Sequence, residues 1–130
     1  MTQESMDVVL YCADADRRRS IIEGVGLRPG KGAPTIKWIE TATPAGAIGA
    51  MKESEAPIVV LDADVPKVGG MAVLQDIKNE LEQEPVAILL IARPQDDWLA
   101  DWSGAAITVL APYDPLDLQV AMVEAMRQAR

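Results

Sequence analysis

Hydrophobic residues in this chain fall into short unbroken runs, separated by longer stretches where they recur every three or four positions. The unbroken runs lie at Asp7 to Cys12, Ile58 to Leu61, Val86 to Ala92 and Ile107 to Leu110. Runs of this length, rich in β-branched residues and closed by turn residues, predict strands covered on both faces, as in a parallel sheet. Thr35 to Thr41 alternates instead, with Ile36 and Trp38 set against Lys37, and predicts a strand nearer an edge. The intervening stretches predict helices at Arg17 to Val25, Pro44 to about Glu53, Gly70 to Leu81, Arg93 to Trp102 and Pro115 to about Gln128. Their starts are marked chemically. Asp14 or Asp16, Thr43 before Pro44, and Asp114 before Pro115 each supply an oxygen for the free amides of a helix amino end. Gly26 to Ala33, with Gly26, Pro29, Gly30 and Gly32, predicts a long exposed loop.

Five strand–helix units follow one another with no compositional break, which predicts one domain over residues 1–130 with its core at about 7–128. Such alternation implies a doubly wound five-stranded parallel sheet with helices on both faces. A flavodoxin-like strand order, 2-1-3-4-5, is expected at this length. Ligands of these folds sit in the crevice beyond the carboxyl ends of the strands. The residues expected there are Ala13-Asp14, Asp62, Ile91-Ala92 and Ala111-Pro112.

Composition removes several function classes. A net charge of -8 argues against a nucleic-acid surface, which needs clustered Lys and Arg. The single basic run, Arg17-Arg18-Arg19, reads as a solvated helix face. No histidine occurs, which excludes His-based triads, metal ligands and phosphotransfer. One cysteine, Cys12, precludes an internal disulfide and suits a reducing, cytoplasmic setting as a small buried hydrophobe. The amino terminus has no signal-peptide pattern, and no apolar run approaches the roughly 18 residues of a membrane span. Gly24, Gly26 and Gly30 follow a helix rather than a strand, so they do not form a phosphate loop.

The stretch Leu61-Asp62-Ala-Asp64-Val65-Pro66-Lys-Val-Gly69-Gly70, leading into an amphipathic helix, resembles the phosphoacceptor region of receiver domains of two-component response regulators. The resemblance extends over the whole chain from about Asp7, and most closely concerns the stand-alone, atypical receivers of actinobacteria. It implies that Asp62 is the phosphoacceptor. It also implies a weak Mg²⁺ site from Asp14, Asp62 and the backbone carbonyl of Asp64, with Ala13 and Asp14 at the two acidic positions after the first strand and Arg19 as the helix arginine. Val65 replaces the usual Met. Where the family has Ser or Thr after the fourth strand, this chain has Ile91; where it has Lys before a proline after the fifth, this chain has Ala111. Thr108 stands at the family's aromatic switch position, and Tyr113 matches the aromatic after the proline. The Ala111–Pro112 bond is cis in many receivers.

Loss of a hydroxyl and an ammonium group removes contacts that bias a phosphorylation switch, because a modification without differential contacts shifts no equilibrium. The expectation is therefore a non-enzymatic signalling module that acts through protein contacts in trans. A sensor histidine kinase is its donor if Asp62 is used; otherwise it is a phosphorylation-independent pseudo-receiver scaffold. Trp98 and Trp102, four residues apart, are candidate partner anchors together with Tyr113, against a reading in which the tryptophans pack on the sheet. The resemblance favours a homodimer or partner face made by the fourth predicted helix, the fifth strand and the final helix. The rival is a flavodoxin-like cofactor-binding protein, disfavoured by the lack of a Ser/Thr-rich phosphate loop and of aromatics to sandwich a flavin. A hydrolase has no nucleophile–base pair here.

Overall fold

The structure is a computed structural model and describes residues 5–62, 70–81, 84–94 and 105–129. Five strands form one parallel sheet: β1 (Ser5–Tyr11), β2 (Thr35–Thr41), β3 (Ile58–Asp62), β4 (Val86–Ile91) and β5 (Ile107–Leu110). The spatial order is β2-β1-β3-β4-β5, the doubly wound order expected from the alternation. Among the described residues four helices flank it: α1 (Ala15–Val25), α2 (Pro44–Ser54), α3 (Gly70–Glu80) and α4 (Pro115–Ala129). The helix expected at Arg93 to Trp102 lies outside the described residues beyond Pro94, as do the turn holding Asp64 and both Trp98 and Trp102.

The side-chain alternation of the central strands builds two separate apolar layers. Val8, Leu10 and Cys12 of β1 and its end, with Ile58 and Val60 of β3, pack under Ile21 and Val25 of α1 and Leu118, Met122 and Met126 of α4. Val9, Tyr11, Val59 and Leu61 point the other way, against Ala47 and Met51 of α2 and Val73, Leu74 and Ile77 of α3. Burial on both faces explains why β1, β3 and β4 read as unbroken apolar runs. The edge strand β2 buries Ile36 and half-buries Trp38, whose indole N–H donates to the carbonyl of Gly26 at 3.1 Å. That bond ties the end of α1 to β2 and anchors the start of the long loop.

Helix boundaries follow their caps. Asp14, not Asp16, caps α1, so the helix begins at Ala15, two residues earlier than its apolar spacing suggested. Thr43 caps α2 and Pro44 occupies its first turn, as expected. α2 ends on Glu55, which takes a left-handed φ of 54° without being glycine. Close approach of α1 and α4 depends on Gly24: a Cβ there would lie 3.1 Å from Leu118 Cδ1, and the Gly24 carbonyl accepts a bond from Gln119 Nε2 at 2.8 Å. The Ala111–Pro112 peptide bond is cis.

Candidate functional site

The carboxyl edge of the sheet is set by register. Tyr11 pairs with Leu61, so the chain leaving β1 carries Cys12 alongside Asp62 at the end of β3. Asp62 is 1% exposed, the one buried charged residue among the described positions. A carboxylate in such a place needs compensating donors, because burying an unpaired charge is strongly unfavourable. Arg17, in the first turn of α1, provides them: its Nη1 lies 2.9 Å from Asp62 Oδ2. The Cys12 thiol donates to the same oxygen at 3.5 Å and also lies 3.4 Å from the Asp14 carbonyl.

Arg18 completes the edge. Its Nη1 donates to the Cys12 carbonyl at 2.8 Å, and its Nε pairs with Glu40 Oε1 of β2 at 3.1 Å. The two arginines therefore link α1 to the ends of β1, β2 and β3. This corrects the reading of Arg17-Arg18-Arg19 as one solvated face: only Arg19 is exposed. Successive helical residues point about 100° apart, so a run of three cannot share one surface.

Asp14 is exposed, and its Oδ1 accepts from the amides of Asp16 at 2.9 Å and Arg17 at 3.0 Å. These bonds, that of the Arg17 amide foremost, hold its carboxyl below the usual carboxylate value. Its carboxylate is thus engaged at the amino end of α1, whereas the group brought against Asp62 at the end of β1 is a thiol. The expected placement of Ala13 and Asp14 at the acidic positions is one residue out of step with this geometry. On the far side, Leu90 pairs with Asp62, Ile91 is buried in the α2–α3 layer, and Ala111 donates its amide to the Ile91 carbonyl at 2.9 Å. Those positions supply neither hydroxyl nor ammonium group. Tyr113 is half-buried against the α1–α4 layer.

The resemblance read from the sequence implies a Mg²⁺ site at Asp62. Mg²⁺ demands oxygen ligands in near-octahedral array. Among the described residues, the atoms set against Asp62 Oδ2 are a guanidinium N–H and a thiol, both donors, and the first is cationic. This set does not fit the ion. No group of three or more His, Cys, Asp or Glu suited to a metal occurs among the described residues. A cavity of about 560 Å³ opens at the opposite edge of the sheet, between Lys52, Glu55, Pro57, Glu80 and Pro85, and takes no part in this chemistry.

Burial pushes the Cys12 thiol up to about 11, from an ordinary value of 9.0. The unfolded chain therefore loses this proton first as pH rises. The thiol's contribution to stability is intact below about pH 9 and is lost between there and about pH 11. At pH 8 the native thiolate fraction is about 100-fold below that of an ordinary cysteine. Iodoacetamide labelling of native protein at pH 8 is expected to be slower than that of denatured protein by at least this factor. Equal rates would contradict the buried placement.

No family model matches the chain. Two response regulatory proteins of Mycobacterium tuberculosis, from different strains, are each 28% identical to it over 123 residues, covering 95% of this chain and 92% of their own. Among solved structures, the receiver domain of a LuxO repressor protein from Vibrio parahaemolyticus superposes with a TM-score of 0.79 at 17% identity, over 96% of this chain and 92% of that one. A response regulator receiver domain from Clostridium thermocellum gives 0.79 at 19% identity, over 95% of each chain. The receiver domain of a NarL response regulator from M. tuberculosis gives 0.78 at 18% identity, over 95% of this chain and 98% of that one. Among the described residues, no helix is long and apolar enough to cross a membrane. Strand order and the acid closing β3 thus give this chain the fold of receiver domains, and over nearly its whole length it is similar to two response regulatory proteins.

Proposed function

We propose that this receiver domain is a phosphorylation-independent module, acting through protein contacts rather than through a phosphoryl group on Asp62. The observation that carries this reading is the state of the acceptor carboxylate: buried, and held at 2.9 Å by a cation belonging to the chain itself. Phosphoryl transfer relies on positioning and on neutralising the charge of the transferred group. Here Arg17 is already committed to Asp62, while Ile91 and Ala111 stand where the family's hydroxyl and ammonium would complete the switch.

Receiver domains in general are non-enzymatic signalling modules that interact with histidine kinases and other proteins. Leu110 on β5, and Leu116 and Val120 one turn apart on α4, are exposed apolar side chains on neighbouring elements. They support the face of β5 and α4 as the contact surface for a protein partner in trans or a second copy. Trp98, Trp102 and Tyr113 remain candidate anchors for such a partner.

The second reading, a phosphorelay receiver with a sensor kinase as donor and a weak Mg²⁺ site at Asp14, Asp62 and the Asp64 carbonyl, is favoured by the position of Asp62 at the carboxyl end of β3. One experiment separates the two. Wild type and Asp62→Asn are exposed to Mg²⁺ with beryllofluoride and followed by amide NMR, then treated with acetyl phosphate and weighed by intact-mass spectrometry. Phosphorylation independence predicts a silent spectrum and no added phosphoryl mass. Shifts around Asp62 and a phosphoryl adduct, both absent from Asp62→Asn, would establish the relay instead.

A further inference from the structure

We infer that Arg17 is a built-in counter-ion that takes the place of the divalent cation at Asp62, making this site independent of metal. The inference deepens the reading above, since it states what occupies the charge-balancing role when no phosphoryl group is handled. Three independent features of the edge converge on it.

The first is the 2.9 Å pair between Arg17 Nη1 and Asp62 Oδ2, which supplies positive charge from inside the fold. A guanidinium is charged at all accessible pH values and presents its donors in a rigid plane. The second is the identity of the group beside Asp62 at the end of β1. Cys12 offers a hydrogen to Asp62 Oδ2, at 3.5 Å, where a cation site would need an oxygen. The third is the orientation of Asp14. Its Oδ1 takes the amides of Asp16 and Arg17, which starts α1 at Ala15 and places Arg17 in the first turn. The cap thereby aims the counter-ion, and Arg18 on the Cys12 carbonyl fixes the same turn from the side.

The exchange of a mobile cation for a tethered one has a chemical consequence. A bound metal stabilises the folded state only in proportion to its concentration. Arg17 is present at unit occupancy in every folded molecule. Any residual cation binding at Asp62 must first displace a guanidinium, or sit beside it as a like charge.

The test is thermal unfolding of three proteins with and without Mg²⁺ or Mn²⁺: wild type, Arg17→Met, and the double variant Arg17→Met with Cys12→Asp. Circular dichroism at low temperature first establishes that each is folded. Wild type is expected to show no metal-dependent change in Tm. The double variant, with two facing carboxylates and no guanidinium, is expected to gain about 5 °C at a tenfold excess of Mg²⁺ over its dissociation constant. Mn²⁺ should then broaden amide signals near Asp62 in the double variant and leave wild type unchanged. A metal-dependent Tm rise in wild type would overturn the inference, as would a folded double variant that ignores both ions. Should the double variant not fold, Arg17→Met alone decides: Mn²⁺ broadening at Asp62 there and not in wild type supports the inference, and no difference between them refutes it. Failure of this inference reads out in the metal titrations, with no phosphoryl uptake needed, whereas failure of the broader reading appears as a phosphoryl adduct on wild type.

Discussion

Replacing Arg17 with Met should cost about 2–3 kcal/mol of stability, at or just below the roughly 3–5 kcal/mol range for breaking a fully buried ion pair. The loss comes less from the attraction forgone than from Asp62, which at 1% exposure would be left with a charge stripped of its main cation. Arg17 itself keeps a third of its side chain in solvent, at 34%, and that exposure holds the figure down. Chemical denaturation of wild type, Arg17→Met, Asp62→Leu and the double variant forms the check. An apolar replacement of both partners removes the stranded charge, so the double variant should be more stable than Arg17→Met alone. If Arg17→Met matches wild type within about 0.5 kcal/mol, a level typical of surface changes, the pair contributes nothing to folding.

Leu10→Ala is expected to be as severe, at about 3 kcal/mol, within the range found for emptying a buried leucine site. Leu10 is fully buried on β1, between β2 and β3, and faces the α1–α4 layer with Ile21 and Met122. Its neighbours on the strand point into the other layer, so they cannot close the gap without turning the strand. The change should lower Tm by about 10 °C in a scan. Leu116→Ala makes the control: this residue is 65% exposed, and its truncation should stay within about 0.5 kcal/mol. Comparable losses at both positions would contradict the assigned layer.

The fold was largely legible because its strands are buried on both faces and its helices are capped by residues that announce themselves. β2 and β5 begin and end where the residue pattern placed them, and Thr43-Pro44 opens α2 as read. The site was less legible. Asp62 follows directly from an apolar run ending in an acid, but its partner does not. Which of three consecutive arginines turns toward β3 depends on helix phase, and the phase is set by whether Asp14 or Asp16 is the cap. Taking Asp14 as the cap and counting three residues on would have found Arg17. Likewise, Cys12 meets Asp62 because β1 and β3 are in a register that pairs Tyr11 with Leu61. A one-residue shift of that register is invisible in a run as uniformly apolar as Val8 to Cys12.

The division of the side chains into two layers also shapes how this chain can change over time. Val9 and Leu10 are adjacent in sequence yet belong to different packing neighbourhoods, insulated by the sheet backbone. Substitutions on opposite sides of the sheet share no packing partners, so where they are also well separated along the strands their energetic effects are expected to add. Compensation must therefore come from the same side. Repacking of the α2–α3 side is therefore expected to leave the α1–α4 side, and the charged latch on α1, largely undisturbed.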